Sequence, residues 1–237
     1  MWRTRTELLV GKESLSRFSD AHILIVGLGG VGGMCVECLV RAGVGSITIV
    51  DSDTINESNI NRQIIAFPSN IGQLKVDAVA DRAKQINPSI SIRSKAIFLD
   101  DSNIEEIFDQ PYDYVVDAID TITPKLSLIT KALKLNIPLV SSMGAGAKLD
   151  PTQIRITDIS KSYNCPLART IRKRLHPMGI RKGFVVVFSP EATISDAVIQ
   201  TEEERNKKSI LGTISYLPLA FGAACASAVL RGLAYKS

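Results

Sequence analysis

Gly27, Gly29 and Gly32 stand at G-x-G-x-x-G spacing in "IVGLGGVGG", directly after an apolar run and at the start of a helical pattern. Without side chains they let the backbone turn tightly and bring a phosphate against the N-terminus of the following helix. Gly30 lies inside the same turn. Asp51 closes the next apolar run, roughly 20 residues on, where a carboxylate can accept hydrogen bonds from ribose hydroxyls. Taken alone, these residues fit a nicotinamide-dependent oxidoreductase as well as any other nucleotide-binding protein. The following stretch, "NESNINRQIIAFPSNIGQLK", then sets Asn59, Arg62, Gln63 and Lys75 where a dehydrogenase needs little more than an adenine pocket. Cations and amides together provide positive charge and forked donors. Those are what a triphosphate needs as its oxygens gain charge during transfer.

The elements that must hold these groups are legible as periodicity. Residues 23–26 form a continuous apolar run, as a strand buried on both faces does. Val31, Met34, Cys35, Cys38, Leu39 and Ala42 then mark one face of a helix, which Gly43 closes, and residues 47–50 form the next strand. Strand, helix and strand in so few residues open a doubly wound sheet. The alternation continues with a helix over 75–86, strands over 89–92 and 114–119, a helix from Pro124 and a strand over 137–142. Beyond Gly144-Ala145-Gly146, strands at 153–157 and 184–189 flank a basic helix over 166–175, and a polar segment rich in Glu and Lys follows around 200–208. The expected fold class is α/β. It is a Rossmann-like, mostly parallel sheet with helices on both faces and a C-terminal α/β extension. One domain spans 1–237, its nucleotide-binding half about 1–150 and its substrate-binding, dimer-forming extension about 151–237.

Four stretches, "GLGGVGG", "DSDTINESNINRQ", "IGQLKVDAVADRA" and "VVDAID", resemble the adenylate-forming ThiF/MoeB/HesA superfamily, relatives of the ubiquitin-activating enzymes. Three more, "RTELLVG", "SSMGAGAKLDPTQIRITDIS" and "GTISYLPLAFG", narrow the likeness to the tRNA threonylcarbamoyladenosine dehydratase branch. The resemblance implies an ATP-dependent, tRNA-modifying enzyme that adenylates a carboxylate. It gives Gly29 and Gly32 contact with the phosphates and Asp51 the ribose. Asn59, Arg62 and Lys75 hold the triphosphate, and Asp120 takes Mg²⁺. Asp53 is a ribose or metal neighbour, and Asp117 is structural. Arg5 matches an arginine that enters the partner subunit's ATP site, which implies a homodimer. The rivals are adenylation of a ubiquitin-like sulfur carrier's C-terminus and a catalytically silent nucleotide-binding scaffold. A sulfur-transfer (cysteine desulfurase) partner and a monovalent cation near Gly144-Ala145-Gly146 stay open.

The rest of the chain bears on partners. Zinc-binding superfamily members carry two C-x-x-C pairs in their second half, whereas here Cys35 and Cys38 stand alone on an apolar helix face. No zinc is expected, because nothing completes a tetrahedral site. Cys165 reads as an incidental loop thiol. The scattered cysteines and the absence of an apolar leader at the N-terminus point to the cytoplasm. Net charge is +4, and residues 159–190 hold Lys161, Arg169, Arg172, Lys173, Arg174, Arg181 and Lys182 with no acidic residue. Such one-signed charge suits a polyanion, and Arg169, Arg172 and Lys173 fall on one helix face as the tRNA-contacting set. The uncharged segment 209–230 is long enough to span a bilayer. Its glycines, serines and alanines instead suggest a helix from Pro218 buried at a subunit interface, with no stable membrane insertion.

Overall fold

The computed structural model describes residues 2–200 and 209–235, so most of the polar segment expected around 200–208 lies outside the described residues. The chain opens with α1 (Thr4–Asp20), β1 (His22–Val26), α2 (Gly30–Ala42) and β2 (Ser46–Val50). Next come α3 (Lys75–Ile86), β3 (Ser91–Lys95), α4 (Ile104–Ile107), β4 (Tyr114–Asp117), α5 (Ile122–Lys134) and β5 (Leu139–Ser142). The extension adds β6 (Arg155–Asp158), α6 (Pro166–Leu175), β7 (Val185–Phe188), β8 (Val198–Gln200), β9 (Ser209–Leu211) and α7 (Tyr216–Ala234).

Seven strands form one sheet in the order β3-β2-β1-β4-β5-β7-β6, and β8 pairs with β9 in a separate hairpin. All pairings in the large sheet are parallel except β6 with β7. Successive residues of the central strands feed opposite cores, as the two-residue period of a strand requires. Ile23, Ile25, Tyr114 and Val116 join α1, α2, α3 and α7 on one face. Leu24, Val26 and Val115 join α5 and α6 on the other. The extension thus continues the same sheet. On the first face, Glu37 of α2 accepts from Arg41 Nε (2.7 Å) and Arg82 Nε (2.5 Å), which ties α3, the carrier of Lys75, to α2.

Three elements add to or differ from the sequence reading. The charge-free segment forms β9 and most of α7, and one side of α7 is buried by its own chain, with Leu217, Phe221, Cys225 and Val229 fully in the core beside α2. Gly222 allows the close approach, since a Cβ there would stand 2.4 Å from the Val31 carbonyl oxygen. By length and composition α7 could cross a bilayer, but half of its most apolar window is inside the protein. The strand expected over 89–92 is shifted to β3. It is an exposed edge strand whose register is set by pairing with β2 rather than by an apolar run. Finally, α1 was not expected as a helix. Gly11 breaks it at φ 83°, so that Arg3 folds back to donate to Ser19 Oγ at 2.6 Å.

Candidate active site

Strand order reverses between β1 and β4, and in an open α/β sheet the C-terminal strand ends at such a switch point form the ligand crevice. Gly27 leaves β1 with φ 90°, in the left-handed region, its N–H donating to the Val50 carbonyl at 2.9 Å. A Cβ at Gly27 would lie 2.7 Å from the Ala118 carbonyl oxygen, and one at Gly32 would lie 1.7 Å from the Gly27 carbonyl oxygen. Neither position accepts a side chain. Gly29 is the N-cap of α2 with no side-chain cap, so the helix begins on bare backbone at the mouth of the crevice. Gly30 is overlaid by Pro218 of α7 and the Arg62 carbonyl, at 2.8 and 2.9 Å from where its Cβ would stand.

Asp51 closes the other side. Its carboxylate accepts from the Leu28 amide at 2.6 Å and the Asp53 amide at 2.8 Å, which fixes it beside the glycine turn. Burial raises the Asp51 carboxyl above its ordinary value, against the opposing pull of Lys75. Lys75, 6% exposed at the start of α3, donates to Asp53 Oδ2 at 2.6 Å. The two acidic residues and the lysine are therefore one cluster, with Asp53 as the ion partner of Lys75.

The segment between β2 and α3 brings the remaining candidates. Asn59 is buried and its Oδ1 accepts the Asn56 amide at 3.1 Å, so this residue shapes the loop. Arg62 Nη1 donates to the Ser58 carbonyl (2.7 Å) and Asn61 Oδ1 (2.9 Å) at the rim. Gln63 is 6% exposed, its amide nitrogen facing Gly29, and its Oε1 is buried without a hydrogen-bond partner. Such an orphan is uncommon in a folded interior. Asp120 lies exposed on the turn that follows β4, whose Ala118 touches the glycine turn.

Two groups of candidates stand apart. Arg5 is exposed on α1, and neighbouring Arg3 packs over Gly43 at the far end of α2 from the glycine turn. On α6, Arg169 and Lys173 are exposed and Ile171 is buried as a docked helix requires. Arg172, however, is half-buried and donates to the Ser162 carbonyl (2.8 Å) and hydroxyl, so it braces a loop as well as adding charge. Among the cysteines, Cys35 and Cys225 are buried side by side, and burial pushes the Cys35 thiol well up and the Cys225 thiol up to about 12. A zinc ligand must be a thiolate, which that environment opposes. Cys165 is buried at the N-cap of α6.

Sequence reasoning missed the contribution of the chain's end. Asn61 Nδ2 donates to the Thr213 carbonyl at 3.0 Å, and Pro218 covers Gly30, so the segment before α7 and the first turn of α7 close over the loop after β2 and the glycine turn. The only signal was the motif block "GTISYLPLAFG", far away in sequence.

Comparison with known proteins follows this geometry closely. The model of the ThiF family matches residues 4–236. The tRNA threonylcarbamoyladenosine dehydratase of Bacillus subtilis is 44% identical over 191 residues, covering 81% of this chain and 75% of the relative. That of Escherichia coli is 41% identical over 203 residues, covering 81% and 76%. A crystal structure of the E. coli enzyme in complex with ATP superposes with a TM-score of 0.89 at 36% identity, over 98% of this chain and 93% of that one.

Proposed function

This chain belongs to the ThiF family, and on that premise we propose that it is an ATP-dependent tRNA threonylcarbamoyladenosine dehydratase, working as a homodimer in the cytoplasm. The observation that carries the reading is the side-chain-free turn at the sheet's switch point with Lys75 beside it. An uncapped helix N-terminus and a buried ammonium form a ready anion cradle. The orphaned Gln63 Oε1 supports a nucleotide there, since it needs a donor such as a hydroxyl or an amine. Asp120 suits Mg²⁺, which is commonly held by one or two carboxylates together with phosphate oxygens and water. When bound, the ion would neutralise charge on the transferring phosphate.

The residues divide the work as follows. The glycine turn and α2 N-terminus hold phosphate oxygens, Asp51 the ribose, and Arg62, Lys75 and Asn59 the charge that develops on the α-phosphate. The substrate carboxylate attacks that phosphorus and displaces pyrophosphate, giving an acyl adenylate. A nucleophile of the same threonylcarbamoyl side chain then closes a ring on the activated carbonyl and expels AMP, so the nucleoside ends one water lighter. Proximity within one side chain makes an enzyme nucleophile unnecessary, in keeping with the burial of Cys165. The test is mass analysis of tRNA nucleosides after incubation with protein, ATP and Mg²⁺. The expected result is an ATP-dependent loss of water from threonylcarbamoyladenosine. Unchanged nucleosides, together with ATP–pyrophosphate exchange driven by a sulfur-carrier protein, would replace this reading.

Exposed Arg169 and Lys173 in an acid-free stretch support tRNA binding through α6. Phosphate contacts make affinity fall with salt by about 0.7 to 0.9 log units per log unit for each phosphate neutralised. Arg169→Ala/Lys173→Ala should therefore flatten the salt slope of tRNA binding by roughly 1.4 to 1.8, with ATP affinity unchanged. A slope equal to wild type would return α6 to an ordinary solvated face. Arg172 is left in place because its loss would also release the loop at Ser162.

A further inference from the structure

Lys125 has no exposed surface at all, and neither has its partner Asp117. The ammonium donates to Asp117 Oδ2 at 2.6 Å, to Ser141 Oγ at 3.2 Å and to the Ser142 carbonyl at 2.9 Å, so all three of its protons are placed. Burying two opposite charges is costly, and apolar residues of similar volume often serve stability as well or better. An ion pair of this kind in the centre of a sheet therefore invites a reason other than stability.

The reason is visible on the other carboxylate oxygen. Asp117 Oδ1 accepts the amide of Ile119 at 3.1 Å, two residues on and next to Asp120. The Ala118 amide donates to the Val26 carbonyl at 2.9 Å, and the Ala118 carbonyl lies against Gly27. The turn after β4 is thus pinned at successive residues: to β1, to the glycine turn, and to its own Asp117. With Oδ2 held by Lys125 and Ser141, whose hydroxyl donates at 2.5 Å, the carboxylate plane cannot rotate away from Ile119. We infer that Asp117 is a positioning residue, with Lys125 as its buried counter-charge: through its Oδ1 Asp117 fixes the turn that presents Asp120 to the phosphates above the glycine turn. The inference rests on the role proposed above for Asp120.

Single substitutions would strand a buried charge, so paired variants are the test. Asp117→Asn/Lys125→Met keeps an oxygen to accept the Ile119 amide, while its NH₂ can donate to Ser141. Asp117→Ala/Lys125→Met also removes both charges but leaves the Ile119 amide without an acceptor. ATP affinity is measured by calorimetry across a Mg²⁺ titration, and exchange of the Ile119 amide by NMR. In the Ala pair, the Mg²⁺ concentration that half-maximally tightens ATP binding should rise about tenfold, the size of effect seen when groups supporting a metal ligand are lost. Its Ile119 amide should exchange faster, with Mg²⁺-free ATP affinity unchanged. The Asn pair should resemble wild type in all three readings. A wild-type Mg²⁺ response in the Ala pair, or equal shifts in both pairs, would overturn the positioning role of Asp117. A wild-type protein whose ATP affinity ignores Mg²⁺ would instead overturn the metal reading of Asp120, and the inference with it.

Discussion

Asp120→Ala should lower Mg²⁺-dependent AMP release by about 100-fold or more while the protein stays folded, the range for loss of a preorganised electrostatic group. The side chain is exposed on a turn that is held by its neighbours, by Asp117 through the Ile119 amide and by Val26 through the Ala118 amide. Removing an exposed side chain opens no cavity and the turn keeps its own hydrogen bonds, so thermal unfolding should move little. In the role proposed for Asp120, what goes is a carboxylate turned toward the phosphates, and with it the counter-charge for a group whose oxygens become more negative as pyrophosphate leaves. A 100-fold loss corresponds to about 2.7 kcal/mol of transition-state stabilisation. Asp120→Asn, which keeps one oxygen but not the charge, should fall between the two. The check is steady-state AMP release with tRNA substrate over a Mg²⁺ titration, with circular dichroism to verify folding. Near-normal turnover in folded Asp120→Ala would remove this residue from the chemistry.

Much of this arrangement was legible in the sequence because parallel strands covered on both faces must be apolar throughout. Residues 23–26 and 47–50 read as strands for that reason, and Gly27 and Gly32 between them stand where no side chain fits. Where a strand lies at an exposed edge the signal fades, and β3 was misplaced although its existence was not. The N-terminal helix was invisible for a related reason. Gly11 splits it, and Leu8 and Leu9 point outward, so no single apolar stripe runs along it. For α7 the composition announced burial and pointed to a subunit interface, whereas one side of the helix is covered by its own chain. At the site, residue types foretold charge, not pairing. Asp53 was a neighbour of uncertain task until the structure set it on Lys75, and Arg172 looked like any other basic residue until it was seen bracing Ser162. Lys125 offered only a lysine near the start of a helix that carries two more, Lys131 and Lys134.

Arg5→Ala and Lys75→Ala should each abolish turnover alone, and mixing the two proteins should restore it in part. The ground for expecting this is distance. Arg3 packs over Gly43, the C-cap of α2, whereas the glycine turn sits at the opposite end of that helix. Thirteen residues at about 1.5 Å each separate the two ends by roughly 20 Å, more than an arginine side chain spans. Arg5, two residues from Arg3 on α1, thus starts from the far end of α2 from its own glycine turn, which supports the proposal that it acts in a second copy. Leu8 and Leu9, 83% and 86% exposed, follow Arg5 at i+3 and i+4 and share its face of α1. Two adjacent leucines held in water beside a charged residue suit a contact between subunits, with the arginine carried across as the leucines are covered. In a two-fold dimer of one Arg5→Ala and one Lys75→Ala chain, one site lacks both residues and the other has both. Random exchange should make half the dimers mixed, so about a quarter of wild-type activity should return. Exchange is followed separately by native mass spectrometry of differently tagged chains. If the subunits exchange and activity stays absent, Arg5 does not act across the interface, whatever the dimer itself looks like.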